Sequence, residues 1–67
     1  MIIQDTKIEF CVIAAYDDGN NYCIAKFMHE EAARSYRRSR KRKDYVEYRL
    51  YRRTQKYDGE VTWEELS

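Results

Sequence analysis

The 67-residue sequence contains no proline, two glycines, two cysteines and one histidine. Disordered segments are typically rich in proline and glycine, so their scarcity, together with seven tyrosines, indicates a folded chain. The longest apolar run, residues 10–16, is far shorter than the ~20 residues that a membrane-spanning helix needs. Gln4, Asp5, Lys7 and Glu9 interrupt any apolar stretch of a signal peptide. We therefore expect a cytoplasmic protein.

The sequence also lacks the residue patterns of common catalytic and cofactor sites. It has no glycine-rich phosphate loop, no spacing of metal ligands, and no Ser, His and acid set at recognisable intervals. His29 falls at a predicted helix start, where a capping or packing role suits it, and Asp17 and Asp18 belong to a predicted turn. RNA-cleaving toxins of the RelE type work with Tyr, Arg and Lys side chains, but this chain is shorter and lacks their opening helices. We predict a protein that is not an enzyme and that holds no cofactor and no metal ion.

The two cysteines, Cys11 and Cys23, are interpreted as small hydrophobic residues of the interior. A reducing cytoplasm disfavours a disulfide. Neither of the two hairpin registers that the turn between them allows sets the cysteines opposite each other. We therefore predict no disulfide between them.

Alternation of apolar and polar residues is the main indication of secondary structure. The predicted strands span residues 7–16, 22–27, 45–57 and 61–66. Asp-Gly pairs at residues 18–19 and 58–59 predict hairpin turns, because Gly tolerates positive φ. A helix is predicted to open at His29, since Glu30 and Glu31 would lie at the positive end of its dipole. The element order ββαββ predicts a single α+β domain, residues 1–67, in which an antiparallel sheet of order 2-1-3-4 carries one helix on one face.

A helical repeat of 100° per residue divides the predicted helix into two faces. His29, Ala32, Ala33 and Tyr36 share the face expected to pack on the sheet. The opposite face carries arginine and lysine. The predicted core comprises Phe10, Val12, Ala14, Ala25, Phe27, Ala32, Ala33, Tyr36, Val46, Tyr48 and Leu50.

Charge is strongly segregated along the chain. Residues 34–56 hold 11 of the 13 Lys and Arg residues and two of the 12 carboxylates. Such asymmetry favours an anionic partner. The basic side chains alternate with tyrosines in the third strand, and this combination suits phosphate contacts and base stacking. The predicted binding residues are Arg34, Arg37, Arg38, Lys41, Arg42, Tyr45, Arg49, Tyr51, Arg52 and Arg53.

Two kinds of partner fit these residues: a host protein or nucleoprotein with an acidic surface, or nucleic acid itself. The alternative is that the basic face binds no specific anion and is merely solvated. Residues 27–33, Phe-Met-His-Glu-Glu-Ala-Ala, enter a helix between hairpins in a very small, Tyr-rich, charge-segregated chain. In this the sequence resembles the accessory proteins of phages and mobile elements from which anti-CRISPR and other host-defence inhibitors are drawn. The resemblance covers the whole chain without a diagnostic motif. It implies a stoichiometric inhibitor acting in a bacterial host.

We expect the protein to form a homodimer, because a chain of this length buries only about 60% of its unfolded surface. Ile13, Ala15, Tyr22, Ile24, Tyr45 and Tyr51 are predicted to form an apolar second face of the sheet that a second copy could cover. Light scattering should give a mass of twice 8.2 kDa. A mass of 8.2 kDa that persists from micromolar to millimolar concentration would contradict this expectation.

Overall fold

A four-stranded antiparallel sheet with one helix on one face forms the structure, a computed structural model that describes residues 6–41 and 43–66. The elements are β1 (Lys7–Tyr16), β2 (Asn21–Phe27), α1 (Glu30–Ser39), β3 (Val46–Gln55) and β4 (Val61–Glu65). The strand order is β2-β1-β3-β4. The predicted α+β class, element order and sheet order are confirmed. No helix in the described part of the chain is long and apolar enough to cross a membrane.

The two central strands, β1 and β3, determine which side chains face the helix. They pair along all ten residues of each strand. Side chains directly opposite one another share a face, so the even-numbered residues of both strands lie on one face and the odd-numbered residues on the other. On the even-numbered face Val12 and Leu50 form a buried cluster with Ala33 of α1. We call the odd-numbered face, opposite α1, the open face.

Both hairpin turns form at the Asp-Gly pairs. In the first turn the Asp18 carboxylate accepts a hydrogen bond from the backbone N–H of Asn20 at 2.9 Å, and Gly19 has a φ of 92°. Asp58 and Gly59 repeat this arrangement in the second turn. Positive φ is readily adopted by glycine because it has no Cβ atom. These contacts give Asp18 the turn-forming role expected from the sequence.

A β-bulge interrupts the regular pairing of β1 with β2. Val12 pairs with Ala25, but the next residue of β1, Ile13, pairs with Cys23. Ile24 is therefore the extra residue of the bulge. It shifts the alternation of β2 by one residue from that point towards the turn.

The bulge corrects two assignments to the second face of the sheet. Ile24 packs against the buried cluster beneath α1. Tyr22 lies opposite Ala14, whose face is also that of α1. The prediction that Ile24 and Tyr22 lie on the face away from the helix is wrong, because sequence alternation alone does not reveal an inserted residue.

The helix α1 lies with Ala33 against the sheet. His29 is the N-cap residue, but its side chain forms no capping hydrogen bond and is exposed. Ala32 is also exposed, so its predicted place in the core is wrong. Arg34 and Arg37 flank Ala33 by helical spacing and are half-buried. Their methylene chains cover more apolar surface than the methyl group of Ala32 would, which favours this rotation of the helix.

The helix ends at Ser39. Arg40 has extended backbone, with φ of −80° and ψ of 132°, and its N–H donates a hydrogen bond to the carbonyl oxygen of Arg37 at 3.2 Å. Lys41 therefore lies beyond the helix. The prediction that Lys41 continues the helical row formed by Arg34, Arg37 and Arg38 is wrong.

The core is small and centred on β1 and β3. Val12, Leu50 and Ala33 are each 0% exposed. The half-buried residues that pack around them are Phe10, Ile24, Phe27, Tyr36, Tyr48 and Leu66. Ile24 and Leu66 are absent from the predicted core, Ile24 because of the bulge and Leu66 because it follows the last strand.

Because Ala33 faces the sheet and Ala32 faces solvent, enlarging these two side chains should change the stability of the protein by unequal amounts. Ala33→Leu should destabilise the protein by about 1–3 kcal/mol, because the added methylenes would have to enter a filled space against Val12 and Leu50. Ala32→Leu, the matched control, should change the free energy of unfolding by less than about 0.5 kcal/mol, since its side chain meets solvent. Urea denaturation measures both. Equal destabilisation, or a larger effect at Ala32, would show that the helix is rotated as the sequence pattern predicts.

Candidate anion-binding surface

Two arginines of β3 are paired with carboxylates of neighbouring strands. Glu9 of β1 lies opposite Arg53, whose Nη1 donates a hydrogen bond to Glu9 Oε1 at 3.1 Å. Glu64 of β4 lies opposite Arg52 and forms an ion pair with it. The Arg53 and Glu9 side chains are only 20% and 17% exposed. The positive charge of the third strand is thus largely offset within the sheet.

Two further predicted binding residues have a carboxylate partner on their own element. Arg34 Nε donates a hydrogen bond to Glu30 Oε2 at 2.7 Å, one turn earlier in α1. Arg49 Nη2 donates to Glu47 Oε2 at 3.0 Å, and this hydrogen bond is the main cause that raises the pKa of Arg49. Exposed pairs of this kind contribute little to stability. They nevertheless reduce the charge that these arginines present to a partner.

The predicted binding residues are also divided between the two faces of the sheet. Tyr51 and Arg53 lie on the open face, where the Tyr51 ring is 6.3 Å and the Arg53 guanidinium 5.8 Å from the Trp63 ring centroid. Arg49 shares that face by its odd-numbered place in β3. The arginines of α1 lie on the other side of the sheet. A single surface containing all the predicted residues does not form.

A second set of cations has no carboxylate partner among the described residues. Within residues 6–41 and 43–66, no ion pair is formed by Arg38, Arg40, Lys41 or Lys43. We call these four residues the basic cluster. They occupy the last turn of α1 and the connection to β3, next to Arg37. Arg42, a predicted binding residue, lies outside the described residues.

Arg40 and Lys43 are members of the basic cluster that the sequence prediction missed. The Arg40 guanidinium turns back over the sheet, 5.3 Å from the ring centroid of Tyr36 and 5.8 Å from that of Tyr48. Sequence pattern assigns Arg40 and Lys43 to the end of the packed helical stripe, projecting into solvent. The segment between Tyr36 and Tyr45 contains no apolar residue. That gap is the available indication that the packed helix stops and the chain turns.

An aromatic group lies beside the basic cluster. The Tyr45 ring stacks on Tyr16 with centroids 6.3 Å apart, and Tyr16 meets the edge of Tyr22 at 5.7 Å. Tyr45 and Tyr22 are 48% and 54% exposed. Lys43 Nζ lies 5.7 Å from the Tyr45 centroid. Tyr45, a predicted binding residue, therefore lies beside the basic cluster, but it contacts Tyr16 of the α1 face rather than the open face.

Two shallow depressions adjoin these residues. The smaller one has a volume of about 270 Å³ and is lined by Ser39, Arg40, Lys41, Lys43 and Tyr48. The larger one has a volume of about 580 Å³ and includes the rings of Tyr16 and Tyr45. Lys43 lines both. Cationic groups and aromatic rings are thus adjacent on this surface.

The two free thiols lie away from the basic cluster. Cys11 is 0% exposed, as predicted, but Cys23 is exposed and its predicted burial is wrong. The bulge sets Cys23 opposite Ile13, on the face that Cys11 occupies. Burial, followed by the neighbouring Cys23 thiol, raises the pKa of Cys11 to about 11.

Comparison of the chain with family models, curated proteins and solved structures finds no significant match. Across the residues that the structure describes, no group of three or more His, Cys, Asp and Glu side chains is placed to hold a metal ion. The basic cluster and the aromatic rings beside it form the candidate binding surface.

The two thiols should differ in their reactivity with Ellman's reagent near pH 8. Cys23 should react rapidly and Cys11 slowly. The thiolate is the nucleophile, and Cys11 is both buried and less ionised at this pH because its pKa is raised. Cys23→Ala should remove the rapid phase and Cys11→Ala should leave it. Two equally rapid thiols in the folded protein would contradict the burial of Cys11.

Cys11 should also make stability fall at alkaline pH. Its thiol ionises near 9.0 in the unfolded chain and near 11 in the folded protein, so its contribution to stability is lost as pH rises between those values. The loss should be smaller in Cys11→Ala, which keeps all the tyrosines and lysines that titrate in the same range. Urea denaturation at several pH values compares the two proteins, and identical pH profiles would contradict the assignment.

Proposed function

We propose that this protein is a non-enzymatic binding protein that inhibits a host nucleoprotein or defence system, of the kind encoded by phages, and that it binds through the basic cluster. Such an inhibitor would act in the cytoplasm of a bacterial host. One observation carries the proposal. Arg34, Arg52 and Arg53 are neutralised within the fold, whereas the four residues of the basic cluster have no carboxylate partner among the described residues.

The helix dipole accounts for only part of the basic cluster. Cations in the last turn of a helix are stabilised by its negative end, so Arg38 would be favourable there without any partner. That effect falls off within one turn. Lys41 and Lys43 lie beyond Ser39, the last residue of the helix, and gain little from it. Their concentration beside Arg40 costs repulsion that an anionic partner would relieve.

A binding role also suits the residue types of the basic cluster better than catalysis does. Lys and Arg present fixed charge, whereas general acid–base catalysis is most effective with groups that titrate near the working pH. The single histidine, His29, precedes the opposite end of α1. These features support a stoichiometric binder.

Direct binding of nucleic acid is the second candidate function. It is favoured by the exposed rings of Tyr45 and Tyr22, which lie next to the cations and could stack on bases. In either case the positive field of the basic cluster should accelerate association more than it slows dissociation.

Charge reversal at Arg38, Lys41 and Lys43 to Glu should abolish capture of the partner from a bacterial lysate, because it reverses three of the four cations of the basic cluster without touching the core. The bait is the 67-residue chain, and circular dichroism confirms that the variant is folded. Nuclease treatment of the lysate separates the two candidates. A protein partner remains after nuclease treatment, and directly bound nucleic acid does not.

The matched control reverses three exposed lysines elsewhere: Lys7, Lys26 and Lys56. It changes the net charge by the same amount and leaves the basic cluster intact, so capture should persist. Undiminished capture by the folded cluster variant, or equal loss in both triple variants, would refute the proposal that the basic cluster is the binding surface.

A further inference from the structure

The smaller depression within the basic cluster has the chemistry of a phosphate site. Its lining contains three cations and, among the described residues, no carboxylate. The Ser39 hydroxyl donates its proton to the Tyr36 carbonyl at 2.7 Å, so the side-chain donors that remain in the lining are the cations of Arg40, Lys41 and Lys43 and the hydroxyl of Tyr48. Three converging cations match the several acceptor oxygens of a phosphate better than the two of a single carboxylate.

Arg40 is held in place before any ligand arrives. Its guanidinium lies over the rings of Tyr36 and Tyr48, which restrains a long side chain through cation–π contacts. No acceptor among the described residues receives a hydrogen bond from its side-chain N–H groups. Arg40 is thus positioned, cationic and still able to donate, which lowers the ordering cost of binding an anion.

The larger depression differs in chemistry and adjoins the first through Lys43. Its lining includes Tyr16 and Tyr45, the acidic residues Asp17, Asp44 and Glu47, and the cations Lys43 and Arg49. Glu47 and Arg49 form an ion pair, so Asp17 and Asp44 outnumber the remaining cation, and this excess of carboxylate disfavours a second phosphate there. A nucleobase, by contrast, can stack on an exposed tyrosine and donate amino or imino hydrogens to a carboxylate. The two depressions therefore match the two halves of one nucleotide.

We propose that the ligand of the basic cluster is a single-stranded nucleic-acid segment, with a phosphate in the smaller depression at Arg40, Lys41 and Lys43 and the adjacent base on Tyr45. This inference rests on the proposed function, because it takes the basic cluster as the binding surface and names what that surface contacts on a nucleoprotein. A single strand is required, since bases in a duplex are already stacked and paired, and an exposed ring cannot reach their faces.

Fluorescence anisotropy with labelled oligouridylate and oligothymidylate of about a dozen nucleotides tests the inference. Tyr45→Ala should weaken binding of the better strand about tenfold, because one stacked base is lost, while Tyr45→Phe should keep it. Lys43→Ala should lower the slope of log affinity against log salt by about 0.7, the loss of one phosphate contact on a single strand. Tighter binding of oligouridylate would indicate a preference for ribose, and tighter binding of oligothymidylate a preference for deoxyribose.

Tyr57→Ala is the matched control. Tyr57 is 69% exposed, and it lies in the turn between β3 and β4 rather than in either depression. Its removal should change affinity by less than about twofold. A Tyr45 effect no larger than the Tyr57 effect would overturn the placement of the base.

Two competitors complete the test. A duplex of the same length that binds as tightly as the single strand, or polyglutamate of equal charge that competes equally well, would overturn the inference, because the surface would then recognise charge alone. So would the absence of strand binding at low salt. These results would leave the proposed function intact if capture still depended on the basic cluster, whereas capture that is indifferent to the cluster would refute the proposed function itself.

Discussion

The pairing of β1 with β3 along ten residues is the constraint on which the rest of the structure depends. It brings Val12 opposite Leu50 and so creates the centre of the core. The same register sets Glu9 opposite Arg53, and the next pairing outward sets Glu64 opposite Arg52. Because carboxylates of the two flanking strands lie opposite arginines of β3, the sheet neutralises in space part of a charge that is strongly segregated along the chain.

The excess positive charge consequently emerges where the sheet ends. Strand β1 ends at Tyr16, opposite Val46, so among the described residues no strand pairing sets a carboxylate opposite Arg40, Lys41 or Lys43. The last turn of α1 adds its own cations at the same place. The basic cluster is thus a product of topology as much as of composition. Its position next to Tyr45 follows from the same connection, which carries the chain from the helix to the third strand past Tyr16.

Sequence alternation and turn chemistry are sufficient to predict the strand order, because each strand buries one face and each Asp-Gly pair closes a hairpin. They do not predict the bulge at Ile24, since an extra residue leaves local hydrophobicity unchanged. They also place both Ala32 and Ala33 in the core, whereas the structure buries Ala33 and leaves Ala32 exposed. The half-burial of Arg34 and Arg37 beside Ala33 favours this rotation of the helix. Charge counting likewise identifies an anion-binding chain, but it cannot tell Arg52 and Arg53, which are paired across strands, from Lys41 and Lys43, which are not.

The residues that stabilise the fold differ from the lysines that carry the binding charge. The core residues Val12, Leu50 and Ala33 belong to regular elements, whereas Lys41 and Lys43 belong to a connection that contributes nothing to the buried cluster. Substitution at those lysines can therefore change recognition at little cost in folding free energy. Arg40 is the exception, because its guanidinium rests on Tyr36 and Tyr48, both of which pack against the core. Because Arg40 contacts both the helix and the sheet, the packing of the helix on the sheet sets the position of its charge.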